Sequence, residues 1–167
     1  MALSAKLKKL LDAKKVKYTV RDHKKVFTAY DLAQTMKEKL EHIAKTIVVR
    51  SDNSHLLVVL PGNRRVDFSK LKKFLKAKKV DIDREGVMQA VFKVKPGAIT
   101  AFGGLYKNTP VLVDKALTKV KKVVASAGNF EQALHMTAKE FLKATEAKLG
   151  DFSEKAKLKL QVKPKKK

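Results

Sequence analysis

The chain's 167 residues fit one domain with a core of its own, and a content of 44% apolar and 7% aromatic residues excludes a largely disordered polypeptide. Thirty-nine Lys and Arg against 16 Asp and Glu leave a formal charge of +23. Such a surface repels itself unless it meets a polyanion, so nucleic acid is the leading partner, and a Lys-rich habit selected by salt or heat is the bland alternative. The absence of cysteine excludes disulfides, thiolate nucleophiles and Cys-based metal sites.

Lysines at positions 6, 8 and 9 stand where a signal peptide needs an apolar run, and no segment approaches the roughly 18 apolar residues of a membrane span. A cytoplasmic protein with no membrane contact is expected. Ser4 can cap a first helix reaching about Lys14, with Leu7, Leu10 and Leu11 at helical spacing and lysines on the other face. Residues 17–20 read as a short strand, and a second helix begins near Thr28, anchored by Val26, Phe27, Tyr30 and Leu32. The run Ile47, Val48, Val49 within residues 44–50 has the β-branched content of a buried strand. A turn at Asp52 and Asn53 leads into residues 55–60, making a central hairpin that Pro61, Gly62 and Asn63 end. Phe68, Leu71 and Leu75 then space a second basic amphipathic helix.

Residues 86–92 form a candidate short helix leading into residues 95–104, the densest glycine segment of the chain. Such a loop lets backbone amides approach a ligand closely, and its plainer reading is a tight turn between elements. Residues 111–113, 121–125 and 133–136 are strand-like, and Thr137 caps a last helix holding Phe141 and Leu142, with Glu140 completing a capping box. The final residues, 155–167, contain seven lysines and little that can pack. The expected organisation is one α/β domain over residues 1–150 followed by a basic, mobile tail over 151–167.

The four histidines, His23, His42, His55 and His135, make no metal-ligand pattern, so no metal or other cofactor is expected. The chain also lacks a nucleophile elbow, a Walker loop and a dinucleotide fingerprint. What remains is Lys45, at the mouth of the strand over 46–50, and the loop over 97–104. A lysine there can hold a phosphate or a developing oxyanion, with loop amides as further donors, although one lysine among so many is ordinarily a solvated surface charge.

Short pieces in order along residues 4–146 carry a resemblance: Asp22-His23 with Phe27-Thr28-Ala29, Ala44-Lys45-Thr46-Ile47-Val48-Val49, and Leu56 to Pro61. They continue with Pro96-Gly97 through Phe102-Gly103, Thr109 to Asp114, Ala127-Gly128-Asn129, and Met136-Thr137 through Glu140-Phe141. Together they resemble the YbaK/prolyl-tRNA synthetase-associated domain family of aminoacyl-tRNA deacylases. The resemblance implies a mixed, mostly antiparallel sheet surrounded by helices, and hydrolysis of the ester that links a wrong amino acid to tRNA. It places the important lysine on Lys45 and the aminoacyl-backing loop on Gly97, Ala98, Ile99, Thr100, Ala101, Phe102 and Gly103. Thr28, Gly128 and His23 are further candidate substrate contacts, and the plainer reading of His23 is structural, holding the loop before the second helix. The implied partners are mischarged tRNA and an aminoacyl-tRNA synthetase to which the domain could dock.

An aminoacyl ester is already activated, so a positioned water, donors for the tetrahedral oxyanion and a cation near the tRNA 3′ end could suffice. Selection would be steric and favour a small amino acid, since a pocket separates small side chains by only about 1–3 kcal/mol per methylene. Two positions depart from the family pattern: Ala101 replaces a proline of the loop motif, which should loosen the loop, and Gln132 aligns nearest to a histidine that functions in some members. They motivate the alternative of an RNA-binding module of the same fold with weak or no hydrolysis. A chromatin-like DNA binder rests on charge alone.

Overall fold

The computed structural model describes residues 3–84, 86, 88–94, 98–107 and 109–156; Gly97 and residues 157–167, the larger part of the expected tail, lie outside them. The elements follow in the order α1 (Ala5–Ala13), β1 (Thr19–Asp22), α2 (Ala29–Met36), β2 (Ile43–Ser51), β3 (Ser54–Pro61), β4 (Arg64–Val66), α3 (Phe68–Leu75) and β5 (Val80–Ile82). After the loop come β6 (Val111–Asp114), β7 (Val123–Ser126), β8 (Gln132–Met136), α4 (Ala138–Thr145), β9 (Lys148–Gly150) and β10 (Ser153–Lys155).

Capping residues start the helices where the sequence predicts. The hydroxyl of Ser4 accepts from the Leu7 N–H, that of Thr28 from Asp31, and that of Thr137 from Glu140. Glu140 does not close a capping box: its carboxylate accepts from the Lys17 backbone N–H at 2.8 Å, joining α4 to the chain before β1. That hydrogen bond, with exposed lysines nearby, holds the carboxyl below the usual glutamate range.

The main sheet runs β1-β8-β7-β2-β3-β6-β9, with β5 also on β2, and a second small sheet pairs β10 with β4. Pairing is antiparallel for β1/β8, β8/β7, β2/β3 and β2/β5, and parallel for β7/β2, β3/β6 and β6/β9. This is the mixed sheet the resemblance implies. Strand β3 is buried from Leu56 to Pro61 because both its edges are paired and both its faces are covered.

Because side chains alternate across a strand, β2 and β3 feed apolar groups to both faces. Ala44, Val48, Leu57 and Val59 pack with Leu7 and Leu11 of α1 and Phe141 and Ala144 of α4. On the opposite face, Val49, Leu56, Val58 and Leu60 pack with Leu71 of α3, while Ile43 joins Leu32 and Ala33 of α2 in a separate cluster. That second face is therefore parted between α2 and α3, and Lys45 lies in sequence between the two clusters' β2 contributions.

Four expectations need correcting. The first strand sits two residues later than residues 17–20, and the 121–125 strand is Val123–Ser126. Phe27 and Tyr30 do not anchor α2: they are 58% and 48% exposed, whereas Leu32 is buried. The packed chain also does not end at 150. Phe152 and Ser153 are fully buried, and β10 pairs with β4, because Phe152 fills the α3 cluster against Phe74. No helix among the described residues is long and apolar enough to cross a membrane.

Candidate active site

The two edges of β2 differ. Toward β3 every residue from Ala44 to Ser51 has a register partner. On the other edge β7 meets only Ile43 and Ala44, and β5 meets only Val49, Arg50 and Ser51. Even-numbered residues of β2 turn their backbone groups to this edge, as the Val48 carbonyl does in accepting from the Asp83 N–H at 2.9 Å. Thr46 therefore presents its N–H and C=O to a gap that no strand fills among the described residues.

A cleft of about 490 Å³ opens at that gap. Its walls come from distant parts of the chain: His23, Phe27 and Thr28 before and at the start of α2, residues 43–48 of β2, Ile82 at the end of β5 and Asp83 after it, Ile99 of the loop, and Ser126, Asn129 and Gln132 around the β7–β8 turn. Ile43, Ala44, Ile47, Val48 and Ile99 make much of the lining apolar, with Lys45 among them.

The Lys45 ammonium donates to the Arg64 carbonyl at 2.6 Å, and one hydrogen bond leaves two of its three N–H groups for another acceptor. Arg64 is itself fixed, its guanidinium donating to the Ser153 hydroxyl at 2.6 Å and to the Ser153 carbonyl at 3.0 Å. The chain beyond residue 150 thus steadies the lysine's anchor. Burial holds the Lys45 pKa below the ordinary lysine value, because the charged form gives up part of its hydration.

Among the described residues of the glycine-rich loop, only Ile99 lines the cleft. Ala98, Thr100, Ala101, Phe102 and Gly103 are buried, and Phe102 packs edge-on to Phe141 in the α1/α4 core. The Thr100 hydroxyl donates to the Ser126 carbonyl at 2.5 Å and its N–H donates to the Tyr106 hydroxyl at 3.0 Å, while the Gly103 N–H donates to the Ala101 carbonyl. Those amides are committed within the fold. Ala101 is 1% exposed, packed within the fold. A Cβ at Gly103 would fall 2.2 Å from the Thr109 carbonyl oxygen, which explains the glycine by close packing.

Gly128 adopts φ 94° and its N–H donates to the Ser126 hydroxyl, a tight turn that delivers Asn129 to the cleft without lining it. Gln132 does line the cleft; it is 1% exposed and bridges Asn129 and Asp22, at 3.0 and 3.1 Å. His23 lies in the wall, with its backbone N–H on the Glu131 carbonyl and its Nδ1 2.7 Å from the Lys24 carbonyl. His135 is 8% exposed and is not part of the wall; burial, Lys122 and Arg21 lower its pKa. Asp83, whose Oδ2 lies 2.6 Å from His55 Nδ1, and Asn129 were not singled out from sequence as site residues. The short β5 carries no motif of its own, Asn129 falls in the Ala127-Gly128-Asn129 piece without a role of its own there, and the sheet order brings both to β2.

The aminoacyl-tRNA editing domain family model matches residues 23–144. The chain belongs to this family. Its chemistry is hydrolysis of the ester in a mischarged aminoacyl-tRNA, so the domain is an editing hydrolase acting on tRNA. The prolyl-tRNA editing protein ProX of Acetoanaerobium sticklandii is 29% identical over 112 residues, 64% of this chain and 68% of that protein. A proline–tRNA ligase of Leuconostoc citreum is 27% identical over 126 residues, 75% of this chain but 22% of the ligase. Among solved structures, the fold matches a hypothetical protein, APE2540, with TM-score 0.82 at 22% identity, covering 89% of this chain and 99% of the other. It also matches a candidate trans-editing enzyme for prolyl tRNA synthetase, with TM-score 0.75 at 20% identity and 92% and 99% coverage.

Proposed function

We propose that the chain removes a small, wrongly attached amino acid from tRNA as a trans-editing deacylase, and that the cleft at the open edge of β2 is where it does so. The observation that carries this reading is the pairing of Lys45, with unspent donors, and the unpaired Thr46 backbone at one mostly apolar cleft. In this reading Lys45 holds the negative charge at the tRNA 3′ end, the Thr46 N–H donates to the oxyanion, and a water attacks the ester carbon. The carbon–oxygen bond to the ribose then breaks and the hydroxyl of the tRNA leaves with a proton. Ile43, Ala44, Ile47 and Ile99 would exclude larger side chains.

His23 and Thr28, both in the wall, are the substrate contacts carried forward from the sequence. Of the loop, Ile99 takes the direct role; Ala98, Thr100, Ala101, Phe102 and Gly103 support it, and Gly128 shapes the turn. Gly97 remains a proposed contact. The basic residues hold the tRNA body, the region beyond the packed chain adds a sequence-blind contact, and docking to a prolyl-tRNA synthetase fits the relatives' names.

Incubating the protein with Ala-, Cys- and Ser-charged tRNAs tests the reading. Release of one of these amino acids above the buffer rate, abolished by Lys45→Ala, is expected. Strong, salt-sensitive binding of all three with no release would instead favour an RNA-binding module.

A further inference from the structure

The rim of the cleft carries aromatic surface that the fold does not use. Phe27 lines the cleft yet is 58% exposed, and its ring meets Phe130 at a centroid distance of 4.8 Å and a tilt of 58°. Tyr30, the second residue of α2, is 48% exposed. Phe27 stands immediately before the helix cap Thr28, a position that ordinarily packs against the first turns of its helix; here the ring turns to the β7–β8 turn instead.

The rim is also held in place. The Val26 N–H donates to the Phe130 carbonyl at 3.0 Å, and the His23 N–H to the Glu131 carbonyl at 2.8 Å, so both rings sit on backbone that is tied together. Exposed Arg21, Lys24 and Lys25 precede Phe27 on the same segment. A fixed aromatic surface beside cations at the mouth of a cleft suits an unstacked base whose phosphates need positive charge.

We infer that the Phe27–Phe130 pair is a stacking platform for the terminal unpaired nucleobase of the tRNA, with Arg21, Lys24 and Lys25 on its phosphates. This rests on the proposed reading that the aminoacylated end enters this cleft. The ester is carried on the ribose of the terminal nucleotide, so a base seated on Phe27 leaves its ribose and ester facing the cleft that Phe27 borders. Stacking is tolerant of base identity, as suits an end shared by all tRNAs.

The test is binding of uncharged tRNA, with and without its terminal adenosine, at one fixed salt concentration. Wild type is expected to lose about tenfold in affinity when that nucleotide is removed, the scale of one base–aromatic stack. Phe27→Leu should bind complete tRNA about tenfold more weakly than wild type and change less than about twofold on truncation. Phe130→Leu should show a smaller loss of the same kind, and F27W, the only tryptophan in the chain, should keep the truncation effect and lose emission on complete tRNA. If Phe27→Leu responds to truncation as wild type does, or wild type is indifferent to the terminal nucleotide, the platform is overturned, as it would be were this rim a protein-docking surface. No release in the deacylation panel with the truncation pattern intact would overturn hydrolysis alone.

Discussion

The two edges of β2 contrast a strand's paired side with its open one. Its β3 edge is a continuous ladder inside the sheet, flanked by residues with no solvent exposure such as Leu57, Val58 and Val59. Its other edge is shared by two short neighbours that leave residues 45–47 without a strand partner among the described residues, and there the cleft, the lysine and the exposed Phe27 collect. The paired edge holds the open one rigid, which a site needs if its donors are to be aimed before substrate arrives.

Proline separates the two edges most sharply. Ile47→Pro removes an N–H from the β3 ladder and should cost more than about 3 kcal/mol, read by urea denaturation. Thr46→Pro removes the N–H that faces the cleft; it should fold, with a far smaller loss of stability, and release amino acid much more slowly. Equal destabilisation by the two would erase the distinction. Leu57→Ala empties a fully buried site and should cost about 3 kcal/mol while leaving deacylation per folded molecule near wild type. Thr137→Ala, which removes the α4 cap far from the cleft, should cost about 1 kcal/mol with no change in rate.

The smallest effect concerns pH. His135 has a lowered pKa in the fold, from burial first and then from Lys122 and Arg21, so on acidification through its ordinary value the unfolded chain takes up a proton before the folded one does. Stability should therefore fall as pH drops below about 6.5, and His135→Gln should flatten that slope. An unchanged slope would mean that the histidine is not the group responsible.

Much of the fold is legible in residue spacing. The starts of α1, α2 and α4, the existence of α3, the β2/β3 hairpin and strands β6 and β8 follow from capping residues, apolar spacing, β-branched runs and turn residues. Strands β4, β5, β9 and β10 do not: each has three residues, rich in charge or interrupted by glycine, and forms because a neighbour offers a ladder. Phe27 and Tyr30 read as anchors because periodicity reports apolar character, and nothing in it distinguishes a ring meant for the core from one on a rim. Glycine density marked residues 97–104 as special, yet the described glycines there are explained by packing, as Gly103 is by the Thr109 carbonyl. Only the family resemblance singles out Lys45 from the other lysines, since its setting depends on the split edge, a property of strand order rather than of local sequence.

The measurement that bears most directly on the central claim is single-turnover deacylation by Lys45→Met beside its unfolding free energy. Burial disfavours the lysine's charged form in the fold, a cost present below its lowered pKa and relieved as pH rises toward the ordinary lysine value. An apolar side chain of similar reach should therefore leave the protein as stable as wild type, or slightly more so, at neutral pH. The account predicts that this intact protein still binds tRNA but releases amino acid at least about a hundredfold more slowly, a loss of about 2.7 kcal/mol in transition-state stabilisation. A Lys45→Met protein that hydrolyses the ester at the wild-type rate would contradict it.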